Sequence, residues 1–367
     1  MLPSIVRVFP TPPAVPRGAI ATLLASLVAA PIAAQSPQVT VTGVGYANFG
    51  YSLHVDSSLA VPGHDNNFDI SRSYVNVLGK FSNGVSTRVT VDEDSRAAAA
   101  NQYTIRLKFA YAAWQPNGKG PLTFRFGLTQ TPWIDFEETI WDYRMQGPIA
   151  VDRNHILLPS DFGAAVDGTW KSDLVNMQAG IYNGEGYAGA PGDQGKDVEA
   201  RVSVRLAKSD LPGRVGGLRL TGYAGLGNQT GGGARRRFLG MVSYKSKAVT
   251  VAGEIEAGQD STAPATPKLK HRLISIFGVY NIPRSSAALI ARYDRFDPSA
   301  DSTSTATNSA ANLAVNAQNR VIVGASYAVS PNLRVLLDAD LNAVEHGATN
   351  PFDKSRQMVF FHTEFRF

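Results

Sequence analysis

The chain has 367 residues, a formal net charge of +5 and no cysteine, which excludes thiolate metal centres and disulfide scaffolds. Its mean hydropathy of −0.11 excludes a bundle of membrane-spanning helices. Beyond the N-terminus no apolar run approaches the roughly 18 residues that one such helix needs.

Residues 1–34 read as a secretory signal. Arg7 and Arg17 precede the apolar run 19–30, and the small residues Ala33 and Ala34 follow, so cleavage is predicted beside Gln35. As a lone membrane anchor the run is too short. The segment carries two Arg and no acid, so the mature chain, 35–367, drops from +5 to about +3. That excess is too small to argue for nucleic-acid binding.

The mature chain then divides into segments with period-two alternation. They run 38–51, 70–81, 84–92, 102–115, 121–130, 161–172, 174–184, 196–208, 214–228, 235–246, 248–259, 269–282, 285–296, 316–329, 332–343 and 355–367. Short joins with turn chemistry, such as Asn83-Gly84, Pro116-Asn-Gly118 and Ser330-Pro-Asn332, alternate with longer polar connections. An even number of strands with alternating short and long joins predicts an all-β, antiparallel up-and-down transmembrane barrel of about 16 strands. A propeller would show a blade-length repeat, which the sequence lacks.

Alternation assigns the faces, because a charge on the lipid face at mid-bilayer costs about 2–4 kcal/mol. In 102–115 the expectation is Tyr103, Ile105, Leu107, Phe109 and Tyr111 towards lipid, with Thr104, Arg106, Lys108 and Trp114 inward. In 121–130 Leu122, Phe124, Phe126 and Leu128 face out and Arg125 in; in 196–208 Val198, Val202 and Val204 face out, with Glu199, Arg201 and Arg205 in. The inward cations are then Arg72, Lys80, Arg88, Arg106, Lys108, Arg125, Arg201, Arg205, Arg219, Lys245, Arg292, Arg334 and Arg366. The inward acids are fewer: Asp92, Glu199, Asp294, Asp338, Asp340 and Glu364. Such a lumen favours anions; the alternative is that each cation pairs with a wall or loop acid.

The segment 131–160 is too long for a hairpin and too apolar for a solvated loop, with Trp133, Ile134, Phe136, Ile140, Trp141 and Tyr143. It is expected to fold inward as a constriction loop. Its acids Asp135, Glu137, Glu138, Asp142 and Asp152 would then oppose the basic wall and set up a transverse field. A surface or trimer-contact loop is the other reading. At the C-terminus Phe367, Phe365, Thr363, Phe361 and Val359 share one face, and Arg366, Glu364, His362 and Phe360 the other. This last strand should close the barrel, contact outer-membrane lipid and meet the barrel-assembly machinery.

The run Phe124-Arg-Phe-Gly-Leu-Thr-Gln-Thr-Pro-Trp-Ile-Asp-Phe-Glu138, the later Asp161-Phe-Gly-Ala-Ala-Val-Asp-Gly168 and the tripeptide Tyr182-Asn-Gly184 resemble the phosphate-selective porin O and P family. That resemblance implies a sixteen-stranded outer-membrane barrel of a Gram-negative bacterium, commonly a homotrimer, passing small anions. Arg88, Arg106, Arg125, Arg201 and Arg205 could supply the arginine ladder of the selective members. The lysine cluster is missing, because no Lys lies between Gln130 and Ser160. The sequence reading is therefore a porin for passive diffusion of small hydrophilic solutes and inorganic anions, with phosphate specificity unclaimed. Pore-lining candidates are Arg88, Arg106, Lys108, Arg125, Arg201, Arg205, Asp135, Glu137, Glu138 and Asp142.

Other classes find less support. The six His scatter over loops and strand ends without the spacing of a nucleophile and base, or of His-Glu-x-x-His. Neither Asp92-Glu-Asp94 nor His64-Asp-Asn-Asn-Phe-Asp69 has the spacing of a calcium loop. No cofactor is expected. A barrel enzyme, or a solute-specific receptor or adhesin of the outer membrane, is the alternative reading. A plugged receptor would need about twenty-two strands and a plug domain.

Overall fold

A computed structural model describes residues 37–55, 66–94, 103–189, 192, 194–229, 232–261, 263–264, 268–300, 316–346 and 350–367. The signal segment, most of the connection 297–314, and His64 and Asp65 lie outside the described residues.

Sixteen strands form one closed barrel: β1 (Gln38–Val55), β2 (Asn66–Lys80), β3 (Val85–Asp94), β4 (Thr104–Trp114), β5 (Leu122–Gln130), β6 (Ser160–Trp170), β7 (Val175–Tyr182), β8 (Asp197–Ala207), β9 (Gly217–Asn228), β10 (Ala234–Lys245), β11 (Val249–Asp260), β12 (Leu269–Asn281), β13 (Ala287–Asp297), β14 (Gln318–Ser330), β15 (Leu333–His346) and β16 (Asn350–Arg366). Each strand pairs antiparallel with its sequence neighbour. Closure is made by β1 on β16, in a register running from Val44↔Arg366 to Val55↔Arg356. Every segment expected from alternation is one of these strands. The physical reason is that each carries its own lipid-facing period, and the turns between them carry their own chemistry.

Two turns show that chemistry. Asn83 and Gly84 take φ of 59° and 74°, and Asn117 and Gly118 take 58° and 63°, a conformation that Asn and Gly tolerate best. Gly84 is required twice over. A Cβ there would stand 2.0 Å from the carbonyl oxygen of Gln115, because the two turns pack side by side.

Exposed Phe124, Phe126, Val198, Val202, Leu337, Phe361 and Phe365 stand on the outside, as alternation requires. The structure corrects the C-terminal half of β4. Thr90 pairs with Phe109 and Val91 with Leu107, so Lys108 is the extra residue of a β-bulge. The bulge flips the phase. Ile105 and Leu107 face out as expected, but Phe109 and Tyr111 turn inward under Arg88 and Arg125, at 4.4 and 5.6 Å from ring centroid to guanidinium carbon. Trp114, expected inward, lies outside and 50% exposed against Phe124. Leu128, expected to face lipid, is 1% exposed. It is the first of three consecutive buried residues that end β5.

The segment between β5 and β6 folds into the barrel, as its apolar composition demands. It holds helices α1 (Ile134–Trp141) and α2 (Ala150–Arg153). Trp133, Ile134, Phe136, Ile140, Trp141, Met145, Ile149 and Val151 are all at most 1% exposed. They pack on the inner face of β9–β15, where Leu239, Met241, Leu273, Phe277, Ile290, Ile322 and Leu336 form an apolar wall. The hydrophobic core therefore lies inside the lumen, between loop and wall.

Candidate channel constriction

Cations fasten the loop to that wall. Arg201 donates to the Pro132 carbonyl at 2.8 Å and lies 4.0 Å from the Phe136 ring centroid. Arg214 pairs with Asp135. Lys245 donates to the carbonyls of Thr139 and Ile140 at 2.6 and 2.9 Å, which satisfies orphan acceptors at the C-terminal end of α1. Arg292 lies 5.4 Å from the centroids of both Trp141 and Phe277, and Arg334 lies 4.4 Å from that of Tyr143. The Tyr143 hydroxyl and Ser326 Oγ are 2.7 Å apart. Most of these contacts are buried or half-buried, where cation–π pairs and charge-assisted hydrogen bonds are strongest; the bond from Lys245 to Thr139 is exposed.

With the loop on the β9–β15 side, open space remains against the opposite wall. A cavity of about 300 Å³ is lined by Tyr46, Tyr74, Asn76, Arg88, Lys108 and Phe109 from β1–β4. The loop contributes Asp135, Glu138, Thr139, Asp142 and Arg144, and β16 contributes Glu364 and Arg366. Its residues on β1, β2, β3 and β16 lie towards the short-turn end. A second cavity of about 230 Å³ lies beyond the loop, towards the ends with longer connections. Its lining includes Ile156, Leu157, Asp161, Asp197, Glu199, Arg235, Arg237 and Asp260.

Five of the ten candidates meet at the first cavity: Arg88, Lys108, Asp135, Glu138 and Asp142. The other five do different work. Arg106 joins Arg72 on the buried Asp92, at 3.2 and 2.6 Å, so Asp92 is an anchor for wall arginines. Arg125 is paired with Asp167 at 2.6 Å. Arg201 holds the loop, and Arg205 donates to the Ser172 carbonyl in a turn at 2.9 Å. Glu137, placed opposite the basic wall from sequence, turns to the apolar side: it is fully buried and accepts from Trp133 Nε1 at 2.8 Å. Burial pushes its carboxyl above the ordinary glutamate range, with Arg292 opposing. The reason is helical: Glu137 shares the inner face of α1 with Trp133 and Trp141, whereas Asp135, Glu138 and Asp142 occupy the other face.

Sequence reasoning missed Tyr46, Tyr74 and Asn76, whose inward phase on β1 and β2 was the available signal. It also undercounted inward acids. Asp161, Asp197, Glu254 and Glu256 are buried on the inner face, and Asp167, Asp197 and Asp260 are ion-paired to Arg125, Arg235 and Arg237. The excess of inward cations is accordingly smaller than alternation suggested. Among the described residues, Arg88 and Lys108 are held by neutral groups. Arg88 donates to Asn76 Oδ1 and Thr90 Oγ1 at 2.9 and 3.0 Å, and Lys108 to the Tyr74 hydroxyl at 3.0 Å. Those two carry charge at the cavity that no wall acid cancels. His362 stands 3.0 Å from Asp338 across β15 and β16.

No protein-family model matches this chain, and no curated protein matches it in sequence. Solved structures do match its fold. The OmpT of Vibrio cholerae is 12% identical with a TM-score of 0.60, over 91% of this chain and 98% of that one; one OmpT structure is of a trimer form. The outer membrane channel DcaP of Acinetobacter baumannii is 9% identical with a TM-score of 0.57, over 90% and 98%. A mutant of the Rh. blastica porin is 12% identical with a TM-score of 0.50, over 90% and 100%. The chain thus has the fold of outer-membrane β-barrels, a closed, all-antiparallel sixteen-stranded barrel with an inward loop.

Proposed function

We propose that the protein is an outer-membrane porin, passing small hydrophilic solutes by passive diffusion through a narrowed aqueous lumen. The observation that carries this reading is the cavity between loop and wall. It is polar, it faces Arg88 and Lys108 on one side and Asp135, Glu138 and Asp142 on the other, and it sits within a closed barrel. Opposed charges across a constriction orient dipolar solutes and exclude apolar ones.

A modest anion bias belongs to the proposal and rests on Arg88 and Lys108. It is modest because the same cavity carries four acids, Asp135, Glu138, Asp142 and Glu364, and of the four cations that match them Arg144 and Arg366 are ion-paired to Glu138 and Glu364. The likeness to phosphate-selective porins supports inorganic anions as permeants. Cleavage after residue 34, insertion by the barrel-assembly machinery and assembly as a homotrimer complete the reading, the last supported by the trimer form of a structural neighbour.

Purified, refolded protein in planar bilayers tests it. Discrete conductance steps are expected, with a reversal potential of modest anion preference in a salt gradient. Liposome swelling should admit small sugars and amino acids and exclude larger oligosaccharides. A correctly folded barrel that gives neither conductance nor swelling would rule out the channel, and turn attention to a receptor or enzyme of the outer membrane.

A further inference from the structure

Arginines stand where a barrel has no use for them in its lumen. On the outward face of β10–β12, paired rows run Tyr244–Val251, then Val242–Gly253–Ile276, then Gly240–Ile255–Ile274, then Phe238–Ala257–Arg272, then Arg236–Gln259–Lys270. Arg236 and Arg272 are exposed; neither side chain makes a hydrogen bond or ion pair among the described residues, and the cross-strand neighbour of Arg272 on β13 is Asp297. A cation on the lipid face costs about 2–4 kcal/mol at the bilayer midplane and about 0–1 kcal/mol near the interface. These two rows therefore mark headgroup level. The spacing agrees: Arg272 and exposed Tyr280 are eight residues apart on β12, which at about 3.4 Å per residue and a tilt of about 40° spans about 21 Å, near the height of the apolar band. The arginine end is the one with long connections, so it faces the outer leaflet.

Directly beneath lies an apolar groove of about 500 Å³, floored by Gly240 and Ala257, walled by Phe238, Ile255 and Ile274, with Arg272 and Arg295 at its edge. A Cβ at Gly240 would meet only Ile255, at 3.9 Å, so the groove is open space and not a packed seam. Arg295 is fixed at that edge by Glu345, at 3.1 and 3.0 Å.

We propose that this face binds a phosphate-bearing lipid of the outer leaflet, with an acyl chain over Gly240 and its phosphate between Arg236 and Arg272. Guanidinium is the side chain best matched to phosphate, since its fork donates two parallel hydrogen bonds, and acyl chain and phosphate together match the groove and its charge. The assignment rests on the membrane reading above. It is separable from the channel, because the assay counts bound lipid and not current.

The refolded full chain would be titrated in detergent with diphosphoryl lipid A and with the same lipid after dephosphorylation, and bound lipid counted by native mass spectrometry. Diphosphoryl lipid should bind at least tenfold more tightly than the dephosphorylated form, and the double variant Arg236→Glu, Arg272→Glu should lose that advantage. Gly240→Leu should weaken both lipids by filling the groove. Equal binding of both lipids by wild type, or undiminished binding by the folded double variant, would overturn the proposal. So would a double variant whose only change is loss of oligomers, since a second copy would then be the occupant. Full displacement by inorganic phosphate at the same affinity would likewise defeat it, by reducing the site to one for a free anion.

Discussion

Replacing Lys108 by Glu changes the charge at the first cavity by two units, at a position held by the Tyr74 hydroxyl and the Tyr74 and Phe109 rings, with no ion-paired carboxylate among the described residues. A unit charge about 7 Å from a permeating ion in water contributes about 0.6 kcal/mol. Screening at 0.1 M salt, with a Debye length of about 10 Å, reduces that by about half. Two units acting oppositely on anion and cation then shift the permeability ratio by about 1.2 kcal/mol, or about sevenfold towards cations. At 1 M salt the Debye length is about 3 Å, and the same change should shrink to about 1.5-fold. The assay is the reversal potential of single channels in potassium chloride gradients centred on the two salt concentrations. Lys108→Gln should give an intermediate shift, and Leu107→Ala, one residue away on the lipid face, none. An unchanged ratio in a Lys108→Glu variant that folds normally would refute the reasoning, because permeating ions could not then pass between the loop and the β1–β4 wall.

Trp141→Ala removes the ring that packs on Phe277 with centroids 5.2 Å apart; loosening of the loop by about 3–5 kcal/mol is expected, read as larger and noisier conductance from a barrel of unchanged heat-modifiability. Deleting residues 356–367 removes most of the strand that pairs with both β1 and β15, and should abolish the heat-modifiable folded band, since an open sheet edge cannot persist in lipid. Because the chain has no native cysteine, the bulge can be mapped with single cysteines. Phe109→Cys should react with a membrane-impermeant thiol reagent and Ala112→Cys should not; the reverse labelling would restore strict alternation on β4.

How much of this was legible in the chain follows from the range of the forces involved. The strands were, because lipid outside and water inside impose a period of two on each strand separately, and Asn-Gly or Pro-Asn-Gly sets each tight turn without help from elsewhere. The terminal run from Val359 to Phe367 shows the same local logic, with Phe361, Phe365 and Phe367 outside and His362 and Glu364 inside. That the loop turns inward was also legible, since Trp133, Phe136, Ile140 and Trp141 had to leave water.

Pairing decided the rest. The bulge at Lys108 exists only in the register of β4 against β3, so no periodicity within 104–114 could place Phe109 inside and Trp114 outside. Which wall receives the loop depends on Leu273, Phe277, Ile322 and Leu336 converging from three strands. Which arginines are neutralised depends on acids brought across the sheet: Asp167 to Arg125 and Asp92 to Arg106, whereas Arg88 is held on its wall by the neutral Asn76 and Thr90. Alternation tells which side of the wall a charge occupies. Only the closed barrel decides what stands opposite it, because Coulomb energy depends on separations in space between residues far apart in the chain.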